Sequence, residues 1–439
     1  MLEKVDLLIR HGLVITCDDQ DHIWNDADIA IKGSEIIAIG PDLPYQPSSV
    51  IDATNHVVLP GLINAHMHET LTRGICEDLP LNRWLEEICF PLDRAYDPEA
   101  VRAAAMMNQI EMIRGGVTTF LDIYRYPDVA AEVSVASGLR AFIVPQIIIE
   151  PPLVGESVES AEAFVSKWKG RNPLITPGFG PHAPYSCPPK VYKQLTRLAE
   201  YYDVPLHTHL AETCWEVNKI KEKYGCSPVE YLDMIGVLNP RLSIAHGVWL
   251  TPNEIRLLAS YDVGVVYNPT SNMKLASGVA PVNEFLSAGM KVALGTDSNL
   301  SNNNLDMFEE MRVGALLQKF ARSDASILPC HTMLRIATCG GAEVLKVQHL
   351  IGSLEPGKQA DIILVDLNQP HLWPLIQNSE YQNLINHLVY SANAADVTHT
   401  IVAGKVLMAE RQVLTLEMEM VSKMVQEAAQ NLLKRARLI

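Results

Sequence analysis

Residues 57–68, VVLPGLINAHMH, carry the reading of this fold. An apolar, β-rich run stops at His66 and His68, which lie two apart and so point to the same side of a strand. Seven further runs share that texture: VTTFLDIY (117–124), LRAFIVPQII (139–148), LITPGFGPHAP (174–184), VPLHTHLAE (204–212), LSIAHGVWL (242–250), VGVVYNP (263–269) and VALGTD (292–297). Helical segments such as PEAVRAAAMMNQIEMIRGG (98–116), VYKQLTRLAEYY (191–202) and PNEIRLLASYD (252–262) alternate with them. Eight strands in this alternation predict an α/β fold, a (β/α)8 TIM barrel over residues 59–354, with its chemistry at the carboxyl ends of the strands.

Outside that region the texture changes. VDLLIRHGLVIT (5–16) and DADIAIKGSEIIAIG (26–40) alternate apolar and polar residues between turn signals, and GSLEPGKQADIILVDL (352–367) and VTHTIVAGKVLMAE (397–410) return to the same pattern. The expectation is a small composite β-sandwich domain built from both chain ends, residues 1–58 and 355–439, with the barrel inserted between them. The last stretch, LEMEMVSKMVQEAAQNLLKRARLI (416–439), reads as an amphipathic helix packed on that sheet domain.

Composition fits a large enzyme and excludes several classes. The chain has 439 residues, 48% of them hydrophobic, enough for a barrel plus a smaller unit. Its formal net charge of −16 is dispersed along the sequence, which disfavours nucleic acid and suits a small neutral or cationic substrate. Eight cysteines are scattered without a CxxC pair, as expected of reduced thiols in a cytoplasmic protein. No apolar run reaches the roughly 18 residues of a spanning helix, so no membrane partner is expected.

Side chains able to bind a metal stand at four of the predicted strand ends. His66 and His68 end the first run, His209 the fifth, His246 the sixth and Asp297 the eighth. In LHTHLAE, His209 lies nearer the carboxyl end and is the expected ligand, while His207 reads as a hydrogen-bonded core histidine one layer deeper. Glu212, three residues on, is placed to move a proton beside a metal-activated water. As a ligand His246 would close a four-coordinate shell; as a non-ligand it would hydrogen-bond the attacking water or the developing tetrahedral centre. Asp297 offers a hard oxygen and a proton acceptor. His182 stands at the end of the fourth run, where a two-metal hydrolase would offer a bridging lysine, so a single ion is expected. There is no GxSxG elbow, no Walker loop and no Rossmann glycine pattern.

With PGLINAHMH, LPLNRWLEE, GFGPHAPYSC, HLAET, AHGVWL, NPTSNMKLASGVAPV, GTDSNLSNNNLDMFEEMR and IGSLEPGKQADIILVDL in view, nearly the whole chain resembles the amidohydrolase superfamily in its mononuclear aminohydrolase branch. It is most similar to the 5-methylthioadenosine/S-adenosylhomocysteine deaminases. That resemblance implies one Zn²⁺ on His66, His68, His209 and Asp297, with Glu212, His246 and Asp297 working around the attacking water; the sequence leaves open whether Fe²⁺ or Mn²⁺ can replace the zinc. It also implies that Glu212, Asp297, His182, Trp84 and an acid nine residues after Trp84 meet the substrate; the acid is Asp93 here, where the family usually has glutamate. Relative to the family's usual loop, two residues are missing between His68 and Arg73. No Lys or Arg occurs from Ala141 to Ser166, so a substrate carboxylate would lack a partner there, and a neutral ligand is favoured.

The implied reaction is hydrolytic deamination of an aminated heteroaromatic ring, foremost an adenine nucleoside such as 5′-methylthioadenosine, adenosine or S-adenosylhomocysteine. The competing expectations are an aminohydrolase or chlorohydrolase acting on an s-triazine, guanine or a related ring, and a non-catalytic scaffold on the same fold. Self-association as a homo-oligomer is an expectation that the resemblance alone brings.

Overall fold

The computed structural model describes residues 2–438 apart from 76, 80, 151–155 and 378–381. Its centre is a set of short parallel strands, buried at every position but Thr176. One sheet joins β6 (Leu62–Met67), β7 (Val117–Asp122), β8 (Arg140–Ile143) and β10 (Ile175–Pro177), and a two-residue pairing joins β9 (Gln146–Ile147) to β11 (Gly180–Pro181). A second sheet runs β12 (Leu206–Leu210), β13 (Leu242–His246), β14 (Gly264–Tyr267), β15 (Val292–Leu294). Backbone bonds link the two at both sides. Phe179 N–H donates to the Pro205 carbonyl at 3.0 Å, and Asp297 N–H donates to the His66 carbonyl at 3.0 Å. The Asn64 amide reinforces the latter junction, donating to Thr296 Oγ1 at 2.8 Å and accepting from Thr296 N–H at 3.0 Å.

Strands buried on both faces read as continuous apolar runs, which is why the middle of the sequence lacks clean alternation. Ile63, Ala65, Leu121, Phe142, Val266 and Ala293, drawn from both parallel sheets, pack into one core cluster. The third and fourth runs each break in two. Pro145, which has no N–H to give, interrupts the third; Gly178 interrupts the fourth, where a Cβ would lie 2.6 Å from the Pro205 carbonyl oxygen.

Nine strands from the two ends of the chain form a single mixed sheet. Its order is β19 (Gln412–Val413), β18 (Lys405–Ala409), β17 (Val397–Val402), β16 (Ile362–Asp366), β5 (His56–Pro60), β1 (Glu3–Ile15), β2 (Ile23–Lys32), β3 (Glu35–Gly40), with β4 (Tyr45–Asp52) also paired to β1. Only Gly61 separates β5 from β6. A Cβ there would stand 2.0 Å from Thr118 Oγ1, so the crossing from one sheet to the next needs glycine. The two regions are also clamped by Arg140, whose Nε and Nη2 donate to Asp361 at 2.9 and 3.1 Å with both side chains buried.

The C-terminal helix, Met418–Arg435, departs from expectation. It docks on the helix Pro98–Arg114 rather than on the sheet: Val421 packs with Ile110, and Leu432 with Ala100, Val101 and Ala104. Its apolar stripe fits the small-residue face of that helix, while Arg435 ties the end down on Asp97 at 3.0 Å. Among the described residues no helix is long and apolar enough to cross a membrane.

Candidate active site

At the carboxyl ends of β6, β12, β13 and β15 the chain brings four histidines and an aspartate together. His68 Nε2 lies 3.2 Å from His209 Nε2 and 3.4 Å from Asp297 Oδ1, and His66 Nε2 lies 3.7 Å from that same oxygen. A tetrahedral ion with bonds of about 2.05 Å would separate its ligands by about 3.3 Å, so these spacings suit one small cation. His66, His68 and His209 form one group able to hold a metal ion, and His66, His246 and Asp297 another.

Hydrogen bonds aim these rings. His68 Nδ1–H donates to the Ile123 carbonyl at 2.6 Å and His209 Nδ1–H to the His182 carbonyl at 2.7 Å. A carbonyl only accepts, so each Nε2 keeps its lone pair for the centre. Burial and mutual repulsion hold the pKa values of His66 and His209 well down, and burial lowers that of His68 against the pull of Asp297. All three therefore stay neutral, as metal ligation requires. Most telling is His66 Nε2, which is buried without a hydrogen-bond partner among the described residues. An unpartnered ring nitrogen beside two other imidazole lone pairs and a carboxylate fits a divalent cation.

His246 sits slightly apart, its Nε2 4.0 Å from Asp297 Oδ2 and 3.9 Å from Glu212 Oε2. Its Nδ1–H donates to Asn272 Oδ1 at 2.9 Å. Burial opposes its imidazolium, yet Glu212, Asp297 and Asn272 together raise its pKa. Glu212, also enclosed, is pushed up by burial and by Asp297 while His246 pulls it down. Glu216 fixes the Glu212 backbone by accepting from Ala211 N–H and Glu212 N–H, each at 2.9 Å. Three residues at these strand ends hold positive φ: Ala211 (51°), His246 (73°) and Asp297 (62°). Left-handed backbone at non-glycine residues costs about 1–3 kcal/mol each, and such strain gathers where side chains must be aimed.

Above this cluster opens a cavity whose walls include Trp84, Phe90, Asp93, His182 and Tyr185. Of the site residues expected from the sequence, His68, Trp84, Asp93, His182, His209, Glu212, His246 and Asp297 line this cavity, and His66 adjoins it through His68 and Asp297. His182, brought to a pKa of about 3 by burial and nearby histidines, accepts from or donates to Ser186 Oγ at 2.8 Å. Asp93 accepts from Tyr124 O–H at 2.9 Å and Arg125 Nη2 at 3.3 Å. Reading the sequence missed these two supports, and also Ser271, which donates to Asp297 Oδ2 at 2.6 Å, and Ser277, which donates to Glu212 Oε1 at 3.3 Å. It also missed Lys219, whose Nζ stands 4.5 Å from the Trp215 ring centre and 5.6 Å from that of Tyr185 at the cavity wall. The only local signal was the run SNMKLASG after the seventh strand, rich in polar residues where a plain turn would do.

Comparison with known proteins places this geometry. The model of the amidohydrolase family matches residues 57–407. A 5-methylthioadenosine/S-adenosylhomocysteine deaminase of Pelotomaculum thermopropionicum is 41% identical over 437 residues, covering 98% of this chain and 99% of its own. Among solved structures, an adenosine deaminase from Xanthomonas campestris with bound zinc is 35% identical with a TM-score of 0.93 over all of both chains. The zinc complex of the atrazine chlorohydrolase TrzN from Arthrobacter aurescens is 26% identical with a TM-score of 0.87, over 97% of this chain and 100% of that one. On the strength of that match across most of its length, the chain belongs to the amidohydrolase family.

Proposed function

We propose that this protein is a zinc-dependent hydrolytic deaminase whose substrate is an adenine nucleoside, 5′-methylthioadenosine, adenosine or S-adenosylhomocysteine. The observation that carries the proposal is the buried, partnerless His66 Nε2 facing His68, His209 and Asp297. Those four residues would hold the ion. Zn²⁺ held there would supply a water made nucleophilic near neutral pH by its lowered pKa. His246 and Asp297 orient that water toward the amino-bearing ring carbon, and Asp297, steadied by Ser271, accepts its proton. Glu212 donates a proton to the adjacent ring nitrogen, which draws electron density from the carbon under attack. The proton held by Asp297 passes to the amino group, the hydroxyl proton of the tetrahedral carbon returns to Glu212, and collapse of that carbon expels ammonia and leaves the ring carbonyl.

The walls sort substrates. Trp84 and Phe90 offer apolar faces to the heterocycle, His182 a hydrogen bond, and Asp93 an acceptor for ribose hydroxyls. A carboxylate held by Tyr124 and Arg125 at the cavity wall favours a nucleoside over a bare triazine. In the same reading the eight parallel runs close as a (β/α)8 barrel over 59–354, and residues 1–58 with 355–439 form a composite sandwich domain; the bonds Phe179 to Pro205 and Asp297 to His66 support closure. An ammonia-release screen of zinc-loaded protein over adenosine, 5′-methylthioadenosine, S-adenosylhomocysteine, guanine and aminotriazines tests the assignment. Activity on the nucleosides is expected, and activity confined to triazines would overturn it.

A further inference from the structure

Of the three histidines facing the centre, two are aimed by carbonyls and one is not. His66 Nδ1 meets another imidazole, His207 Nε2, at 2.8 Å, and His207 Nδ1 in turn meets Ser243 Oγ at 2.7 Å. All three residues are buried, and β12 and β13 set His207 and Ser243 side by side in register. A carbonyl fixes the direction of its hydrogen bond, whereas a neutral imidazole can accept at one nitrogen and donate at the other, or the reverse. Two proton arrangements therefore exist along this row. In the first, His66 Nδ1–H donates to His207 Nε2 and His207 Nδ1–H donates to Ser243 Oγ, which leaves the His66 Nε2 lone pair open. In the second, Ser243 O–H donates to His207, His207 Nε2–H donates to His66, and the proton of His66 sits on Nε2, where it blocks an ion.

We infer that His207 and Ser243 select the tautomer of His66, making His207 a positioning residue for the metal centre rather than inert core. The inference rests on the metal-centred reading above. Hydrogen-bond partners of this kind orient ligating imidazoles and raise their basicity. His207 also packs directly against His66, with ring centres 5.0 Å apart.

The test is zinc affinity of the full chain, measured by competition with a chromophoric chelator, together with ¹⁵N ring shifts of the metal-free protein. His207→Leu should weaken zinc binding about 10–100-fold and give His66 a mixed tautomer signature. His207→Gln, whose amide oxygen can accept from His66 Nδ1, should restore most of the affinity. Ser243→Ala should fall between them, and it removes a single hydroxyl, so it reports even if the leucine variant does not fold. Wild-type zinc binding with undiminished affinity in His207→Leu or Ser243→Ala overturns the inference and leaves the metal centre standing. Wild-type protein that takes up no zinc overturns both.

Discussion

Replacing Glu212 by glutamine removes a transferable proton and little else. The amide keeps the shape of the acid and can still accept from Ser277 Oγ, now 3.3 Å from Oε1, and the backbone stays clamped by Glu216. Zinc uptake should therefore be unchanged, because the ligand-type atoms lie on other residues. What changes is proton delivery from an enclosed carboxyl whose pKa burial has pushed up, beside an imidazole 3.9 Å away. General acid–base catalysis contributes about 10²–10⁴-fold, equivalent to about 3–5 kcal/mol of barrier. Steady-state ammonia release should fall by that factor in kcat, with KM altered far less. Turnover within about tenfold of wild type would refute the assignment, since a loss that small falls short of what a positioned acid supplies.

Other perturbations probe specificity and stability. Lys219 makes no ion pair with a described residue and lies 5.6 Å from the ring centre of Tyr185, a residue of the cavity wall; Lys219→Ala should lower kcat/KM for S-adenosylhomocysteine about fivefold, the scale of an exposed charge contact, and leave 5′-methylthioadenosine unaffected. Equal losses on both substrates would remove Lys219 from substrate selection. Asp361→Ala strands the buried Arg140 charge and should cost about 3–5 kcal/mol in denaturant unfolding, whereas Arg140→Met with Asp361→Leu should recover most of it. A single substitution no worse than the double would show the clamp to be weak. Glu310, whose pKa burial raises to about 8 against hydrogen bonds from Asn302 and Thr270, binds its proton more tightly folded than unfolded. Its contribution is complete below about pH 4.5 and disappears as pH rises through about 8, so Glu310→Gln should flatten the fall in melting temperature between those limits.

The site was more legible than its supports. His66, His68, His209, His246 and Asp297 could be read because each ends a buried run, and a strand end is a position that sequence texture reports directly. Ser271, Asn272 and Ser277 leave no such trace: each acts through a side chain that reaches a partner on another segment, and spacing along the chain says nothing about that meeting; Tyr124 ends the second run, but nothing in the run announces the carboxylate of Asp93 that it meets. Continuous apolar runs in the middle reflect strands buried on both faces, whereas the alternation read at the chain ends did not measure burial, since residues 27–31 and 362–365 are buried at every position. The splitting of the third and fourth runs was harder to see, although Pro145 and Gly178 mark both breaks. Docking of the C-terminal helix was misplaced because an amphipathic stripe announces that it will be covered without announcing by what; the small residues of Pro98–Arg114 provide the cover.

Metal content is the most direct test of the account, read as zinc per chain alongside ammonia release before and after chelation. One zinc per chain is predicted, with turnover lost on its removal and regained on its return. Undiminished turnover in protein shown to be metal-free would contradict the central claim.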